Sequence, residues 1–359
     1  MGLRISINSR RIEGPYGGIN QFTVNLENYL RSRDHEVFRE LVPGLDLILI
    51  VSSKTNVLTT SFTPDEAADY LALHPNTVTV QRVNTCNESR AADLGINQAV
   101  LAVNRLVDYT VFVSRFIKEF YSGQGLDPAK PQGVILTGVN EAEFEPSGAA
   151  EWTPGAKMKI ATHHWSGNYM KGFDTYERLD LLLEKKPFKD FFEFTYIGNI
   201  PPGFNFRNTE VAPPLQGQKL VACLKESHLY LTGARHEAGG NHYIEAMRCG
   251  LPVVYLDSGS SAEYCSPYGG VGFTPVDFEE RLLEARSRYA ELRNQVMGCP
   301  YTAAWMGTQY EELFEKLVAR RRAEPAAGPG AARIFCCRAR SLGRKLNALR
   351  RALFRRLGA

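Results

Sequence analysis

The segment HLYLTGARHEAGGNHYIEAMRCGLPVVYLDSGSSAEYC, residues 228–265, concentrates the groups best suited to chemistry. In it Glu237 and Glu245 are separated by seven residues. A helix starting near Gly240 or Asn241 puts Glu237 just ahead of its N-terminus and Glu245 on its first turns, facing the same crevice. Gly239 and Gly240 allow close backbone approach to a ligand and expose N–H groups at the positive end of the helix dipole. A phosphate finds donors there, and two fixed carboxylates accept hydrogen bonds from the hydroxyls of a sugar or a ribose. Arg235 adds a cation beside them, and the stretch from Ser260 and Ser261 to Glu263 supplies a second set of backbone donors. Asn241 and Gly198, the latter closing an earlier apolar run, complete the expected donor-binding set.

Two other regions contribute candidates. In HHWSGNYMKG, residues 163–172, Lys171 is a cation placed to meet a diphosphate, whereas His163 and His164 read as a strand-end structural pair and Trp165 as packing. Near the N-terminus, Gly17 and Gly18 precede a helix beginning INQFTVNLENYL and either line the cleft or form a plain turn. GPYGG lacks the GxGxxG spacing, which gives a nicotinamide role little weight. TVQRVNTCNESR, residues 79–90, ends a strand in polar residues, so Arg82, Asn84 and Glu88 either bind an acceptor or form a solvated loop.

Other chemistries fail on spacing. No two aspartates are separated by one residue, so there is no DxD metal motif and no metal or other cofactor is called for. His236-Glu237 opens like a zincin, but Gly240 stands where the second histidine is needed and His242 comes two residues late. GxSxG and GxxxxGK[ST] are absent. The seven cysteines are scattered without a CxxC, which suits reduced thiols in a cytosolic compartment rather than a disulfide framework or a zinc site.

On Glu237, Glu245 and EAMRCGLPVV (245–254), with GPYGGINQF, ILTGVNEAEF (135–144) and MKGFDTYERL (170–179) in the same order along the chain, the sequence resembles the retaining glycosyltransferases of family four, within glycosyltransferase group 1. The resemblance spans about residues 3–320 and implies the GT-B fold of two facing Rossmann-like domains. It also implies that Glu237 contacts the donor sugar, Glu245 the nucleotide ribose and Lys171 the donor diphosphate. Two departures stand out. Ser166 occupies the place of an expected arginine, so either Arg235, His163, His164 or the glycine loop compensates or catalysis is weakened, and no histidine stands in residues 79–90 where the family presents one near the donor sugar. The implied activity moves a sugar from a nucleotide-diphosphate sugar to a hydroxyl of a glycan or lipid-linked glycan. The alternatives are a non-catalytic scaffold of the same fold that binds nucleotide or glycan, and a nucleotide-sugar epimerase.

The elements that must hold these residues follow an α/β pattern. A chain of 359 residues with 44% hydrophobic and 23% charged residues is long enough for two cores and too apolar for wholesale disorder. Apolar runs at 3–7, 45–51, 77–80, 109–113 and 133–137 alternate with helix-like stretches, and the alternation restarts with strands at 158–164, 192–198, 228–232 and 251–256. The expected division is an acceptor-side domain over 1–142, a linker at 143–157, a donor domain over 158–321, a second linker at 322–332 and a basic tail at 333–359. The tail holds nine Arg or Lys and no Asp or Glu, which leaves the rest of the chain acidic and speaks against general nucleic-acid binding. Leu342, Leu346, Leu349, Leu353 and Leu357 fall on one helical face among arginines, the pattern of an interfacial helix on an anionic membrane. No run reaches the length of a membrane span and MGLRISINSRR lacks a signal-peptide core, so the expected location is cytoplasmic, at the inner face of the membrane.

Overall fold

A computed structural model describes residues 2–12, 18–54 and 58–326. Gly17 and the basic tail, 333–359, lie outside the described residues.

Runs such as LILI, LYLT and VVYL are apolar at successive positions, and in the structure both of their faces are buried, the condition for strands of a parallel sheet covered by helices. The first six strands are β1 (Arg4–Ile7), β2 (Glu36–Phe38), β3 (Leu47–Ile50), β4 (Val78–Val83), β5 (Tyr109–Phe112) and β6 (Gln132–Val134). They form one sheet in the order β2-β1-β3-β4-β5-β6. The next six are β7 (Met158–His164), β8 (Phe192–Gly198), β9 (Glu210–Ala212), β10 (Leu229–Thr232), β11 (Val253–Leu256) and β12 (Val271–Phe273). Their order is β12-β11-β10-β7-β8-β9, and every pairing in both sheets is parallel. In the second sheet the direction of strand addition reverses between β7 and β10. A crevice opens at the carboxyl ends of two such strands because their following loops diverge to opposite faces.

The expected division of the chain needs one correction. The helix Ala303–Ala323, assigned to the donor domain, returns to the N-terminal one. Met306, Tyr310, Phe314 and Val318, at steps of four, bury one stripe of it against Phe22, Leu26 and Leu30 of the helix Gly18–Ser32 and the core of the first sheet. Tyr29 Oη donates to Glu311 at 2.8 Å, and His35 Nε2 lies 3.2 Å from the same carboxylate. His35 Nδ1 accepts from the Leu3 N–H at 2.9 Å, so Nε2 carries the proton toward Glu311 and the cluster is a clamp on the returning helix. The crossing point is a bridge between Val139 and Thr302.

Candidate active site

Lys171, Glu237 and Glu245 gather at the reversal point of the second sheet. Asn168 caps the turn Tyr169–Lys171 by accepting from the Met170 N–H at 2.8 Å. Gly172 follows with φ +100°, and a Cβ there would lie 2.4 Å from the Gly233 carbonyl carbon, so the tight packing of this turn on the loop after β10 needs glycine. Lys171 Nζ thereby reaches Glu237 Oε2 at 2.5 Å. Burial would raise the Glu237 carboxyl, but the Lys171 ammonium outweighs it, and the carboxyl is held at about 2. Glu237 is fixed from behind by Ser260, whose N–H and hydroxyl both donate to the Glu237 carbonyl, at 2.8 and 2.9 Å. Gly259, at φ +66°, packs so closely on Glu237 that a Cβ would stand 2.5 Å from its backbone N and O.

Glu245 sits in the helix Asn241–Arg248 and is bonded to a residue that sequence spacing leaves aside. His163 Nε2, at the end of β7, lies 2.8 Å from Glu245 Oε2, and the Tyr230 hydroxyl lies 3.2 Å from His163 Nδ1. A carboxylate only accepts, so Nε2 bears the proton toward it and Glu245 is oriented from the adjacent strand β10 through the histidine. The neighbouring His164 pairs with the Tyr176 hydroxyl at 2.6 Å. Burial first, then His242 and Lys171, push His164 well below its ordinary 6.5, and burial with Lys171 nearby brings His242 down to about 3 despite Glu237. Both rings are therefore neutral at pH 7 and act as packing behind the carboxylates. The sequence offered His163 as a strand-end structural residue or as compensation for Ser166, and nothing in it pointed to Glu245 as its partner.

The second wall of the cleft is the N-terminal domain. A Cβ on Gly18 would stand 3.6 Å from the Asn241 side chain, and one on Gly239 would stand 3.1 Å from Val113 Cγ2. Gly240 donates its N–H to the Tyr243 hydroxyl at 2.6 Å. Tyr264, one residue beyond Glu263, donates to the Val113 carbonyl at 2.6 Å and accepts from the Thr137 N–H at 2.9 Å, joining the domains through two backbone groups.

Several expected site residues are engaged elsewhere. Glu263 accepts from the Arg115 N–H at 2.7 Å, so its carboxylate caps a helix of the opposite domain instead of facing a donor. Arg235 is ion-paired with Asp174. Arg82, expected at the cleft, is 97% buried by its exposure of 3%, with its guanidinium 3.7 Å from the centre of the Phe22 ring and one nitrogen donating to Thr137 at 3.2 Å. Glu88 accepts from Asn97 at 3.2 Å. Ser261 is buried, Asn84 is half-buried just past β4, and Gly198 ends β8 against the His164 backbone. Trp165, expected to pack, is 49% exposed.

Two parallel six-stranded domains facing each other, with the polar residues collected at the reversal point between them, define the GT-B class of fold. Residues 207–295, which contain Glu237 and Glu245 but not Lys171, match the sequence family described as Glycosyl transferases group 1. No curated protein is matched by sequence. Among solved structures the chain is similar to the catalytic domain of starch synthase IV from Arabidopsis thaliana bound to ADP and acarbose, with a TM-score of 0.64, 12% identity, and coverage of 89% of this chain and 100% of that one. A sucrose-phosphate synthase from Thermosynechococcus elongatus gives a TM-score of 0.62 at 13% identity, covering 89% of this chain and 100% of the other. The Anabaena protein HepE, in complex with UDP and glucose, gives 0.62 at 13% identity over 88% of this chain and 100% of that one. At such identities the likeness is one of fold.

Proposed function

We propose that the chain is a retaining glycosyltransferase that takes a sugar from a nucleotide-diphosphate donor and passes it to a hydroxyl of a glycan or lipid-linked glycan. The observation that carries this reading is the arrangement of Lys171, Glu237 and Glu245 at one crevice between two Rossmann-like domains. Glu237 accepts hydroxyls of the donor sugar, Glu245 accepts the ribose hydroxyls, and Lys171 meets the diphosphate. Charge grows on the leaving phosphate as the glycosidic bond breaks, so catalysis rests on donors preorganised around it: Lys171 and the N–H groups at the start of the helix Asn241–Arg248. The leaving phosphate accepts the proton of the incoming hydroxyl on the same face, which retains the configuration without a protein nucleophile. This chemistry needs no metal or other cofactor. The leucine stripe and arginines in the sequence of 342–357 support attachment to an anionic membrane surface from the cytoplasmic side, where a lipid-linked acceptor is concentrated.

The test is a panel of radiolabelled UDP-, GDP- and ADP-sugars, assayed for hydrolysis and transfer with the wild-type protein and Glu237→Gln. One donor is expected to turn over, with the variant slower by at least ~10-fold. Binding without turnover for every donor refutes the enzyme and favours a scaffold, and interconversion of the donor sugar without transfer favours an epimerase.

A further inference from the structure

A diphosphate carries more negative charge than Lys171 alone can offset, and Ser166 leaves the strand-end turn without a second cation. The three side chains that sequence offers in compensation are engaged with other groups. Arg235 pairs with Asp174, His163 bonds Glu245, and His164 is buried against Tyr176 as a neutral ring. A different cation stands at this place. The loop after β4 ends in the short turn Glu88–Arg90, and Asn168, which caps the turn bearing Lys171, also donates its Nδ2 to the Arg90 carbonyl at 3.2 Å. One side chain thus ties the Arg90 backbone of the N-terminal domain to the Lys171 turn of the other. The loop itself is braced: Asn87 Oδ1 accepts from the N–H groups of Leu94 and Ile96, both at 3.1 Å. Arg90 is exposed, its charge is close enough to Glu237 to favour the ionised carboxylate, and among the described residues its guanidinium forms no ion pair.

We infer that Arg90, reaching across the cleft from the N-terminal domain, is the second cation of the donor diphosphate site. The inference rests on the glycosyl-donor reading above and deepens it: the donor phosphates are held from both domains, so their binding favours the closed arrangement of the cleft. An arginine suits the task because its planar fork can present two N–H donors to one phosphate.

Calorimetric titration of UDP, GDP and ADP, and of the matching nucleoside monophosphate, tests it on the full chain. For whichever diphosphate the wild type binds, Arg90→Gln is expected to weaken affinity about tenfold and to reduce its salt dependence, while Arg90→Lys retains part of it and the monophosphate changes less than twofold. Since Arg90 is exposed, these variants keep the fold. If Lys171→Ala weakens diphosphate binding and Arg90→Gln does not, or if Arg90→Gln weakens both nucleotides equally, the assignment of Arg90 is overturned while the donor reading stands. If the wild type binds none of the three diphosphates, the donor reading fails and this inference fails with it.

Discussion

The ion pair between Lys171 and Glu237 predicts a measurable coupling. An ordinary glutamate titrates at 4.5, and Glu237 is held at about 2. At about 1.4 kcal/mol per tenfold change, that difference favours the ionised form by roughly 3 kcal/mol. The side chains keep 19% and 16% of their solvent exposure, which lowers the expected coupling to about 2 kcal/mol. Lys171→Met keeps the aliphatic stem and removes the charge, and Glu237→Gln keeps the shape of the acid. Each single variant is expected to lose about 2 kcal/mol of unfolding free energy in urea at pH 7, with the double variant losing about the same rather than twice as much. The pH dependence has a fixed sign. Because the folded-state carboxyl is depressed, its contribution is complete above about 4.5 and disappears as pH falls toward about 2. The gap between wild type and Lys171→Met must therefore narrow through that window. Additive single losses, or a gap unchanged between pH 7 and pH 3, would refute the reasoning.

Three further expectations follow from the same geometry and from the tail. His163→Phe removes the donor that orients Glu245, so affinity for the ribonucleoside diphosphate that the wild type binds should fall about fivefold to tenfold by calorimetry, whereas its 2′,3′-dideoxy analogue should bind unchanged; an equal loss for both points to general damage instead. Gly259→Ala forces a Cβ against the Glu237 backbone at a positive φ and should cost about 1 kcal/mol or more together with most turnover; a variant with wild-type rates removes Gly259 from the support of Glu237. Deleting 333–359 should move the protein from sedimented anionic liposomes into the soluble fraction while nucleotide affinity is kept, and unchanged co-sedimentation contradicts a membrane role for the tail.

The parts of the fold legible in sequence are those where one local pattern decides. Long apolar runs give β3, β7, β8 and β11, and Thr63 with Glu66 makes the reciprocal cap that starts the helix Pro64–Leu73. Of the four three-residue strands, β6 falls within the apolar run at 133–137, whereas β2, β9 and β12 have too few apolar positions to register, and each lies at a sheet edge where pairing with the neighbour defines it. The span 276–320 contains Gly298 and Pro300, and these separate the helix Tyr289–Val296 from Ala303–Ala323. Its last helix shows an apolar stripe, but a stripe does not name its partner, which is why its return to the first sheet was not legible. That Glu237 and Glu245 meet at one crevice was legible because they stand on a loop and a helix close in sequence, whereas Lys171 joins them from 66 residues away and only its match to the family motif placed it there. The partners that engage Glu263, Arg235 and Arg82 were not legible, because Arg115, Asp174 and Phe22 reach them only in the folded chain.

Two residues of the expected set, Glu263 and Arg82, lie at the junction of the two domains together with Tyr264. Glu263 caps the helix beginning at Arg115, Tyr264 ties Val113 and Thr137, and Arg82 lies beneath the same junction, close enough to Tyr264 and Tyr310 to feel their hydroxyls. In the structure these residues hold the two domains against each other. On the proposed reading the donor contacts fall to Lys171, Glu237 and Glu245 on one wall and to Arg90 on the other. Lys171 and Glu237 neutralise each other. An incoming diphosphate competes with Glu237 for the Lys171 ammonium, and it is attracted only to the extent that another positive charge is near. Asn168 ties the Arg90 backbone to the Lys171 turn, alongside the contacts of Glu263 and Tyr264 across the junction. If Arg90 is the second cation, donor affinity is coupled to the domain junction, and a variant that loosens Tyr264 from Val113 is expected to weaken diphosphate binding by calorimetry without touching a phosphate ligand.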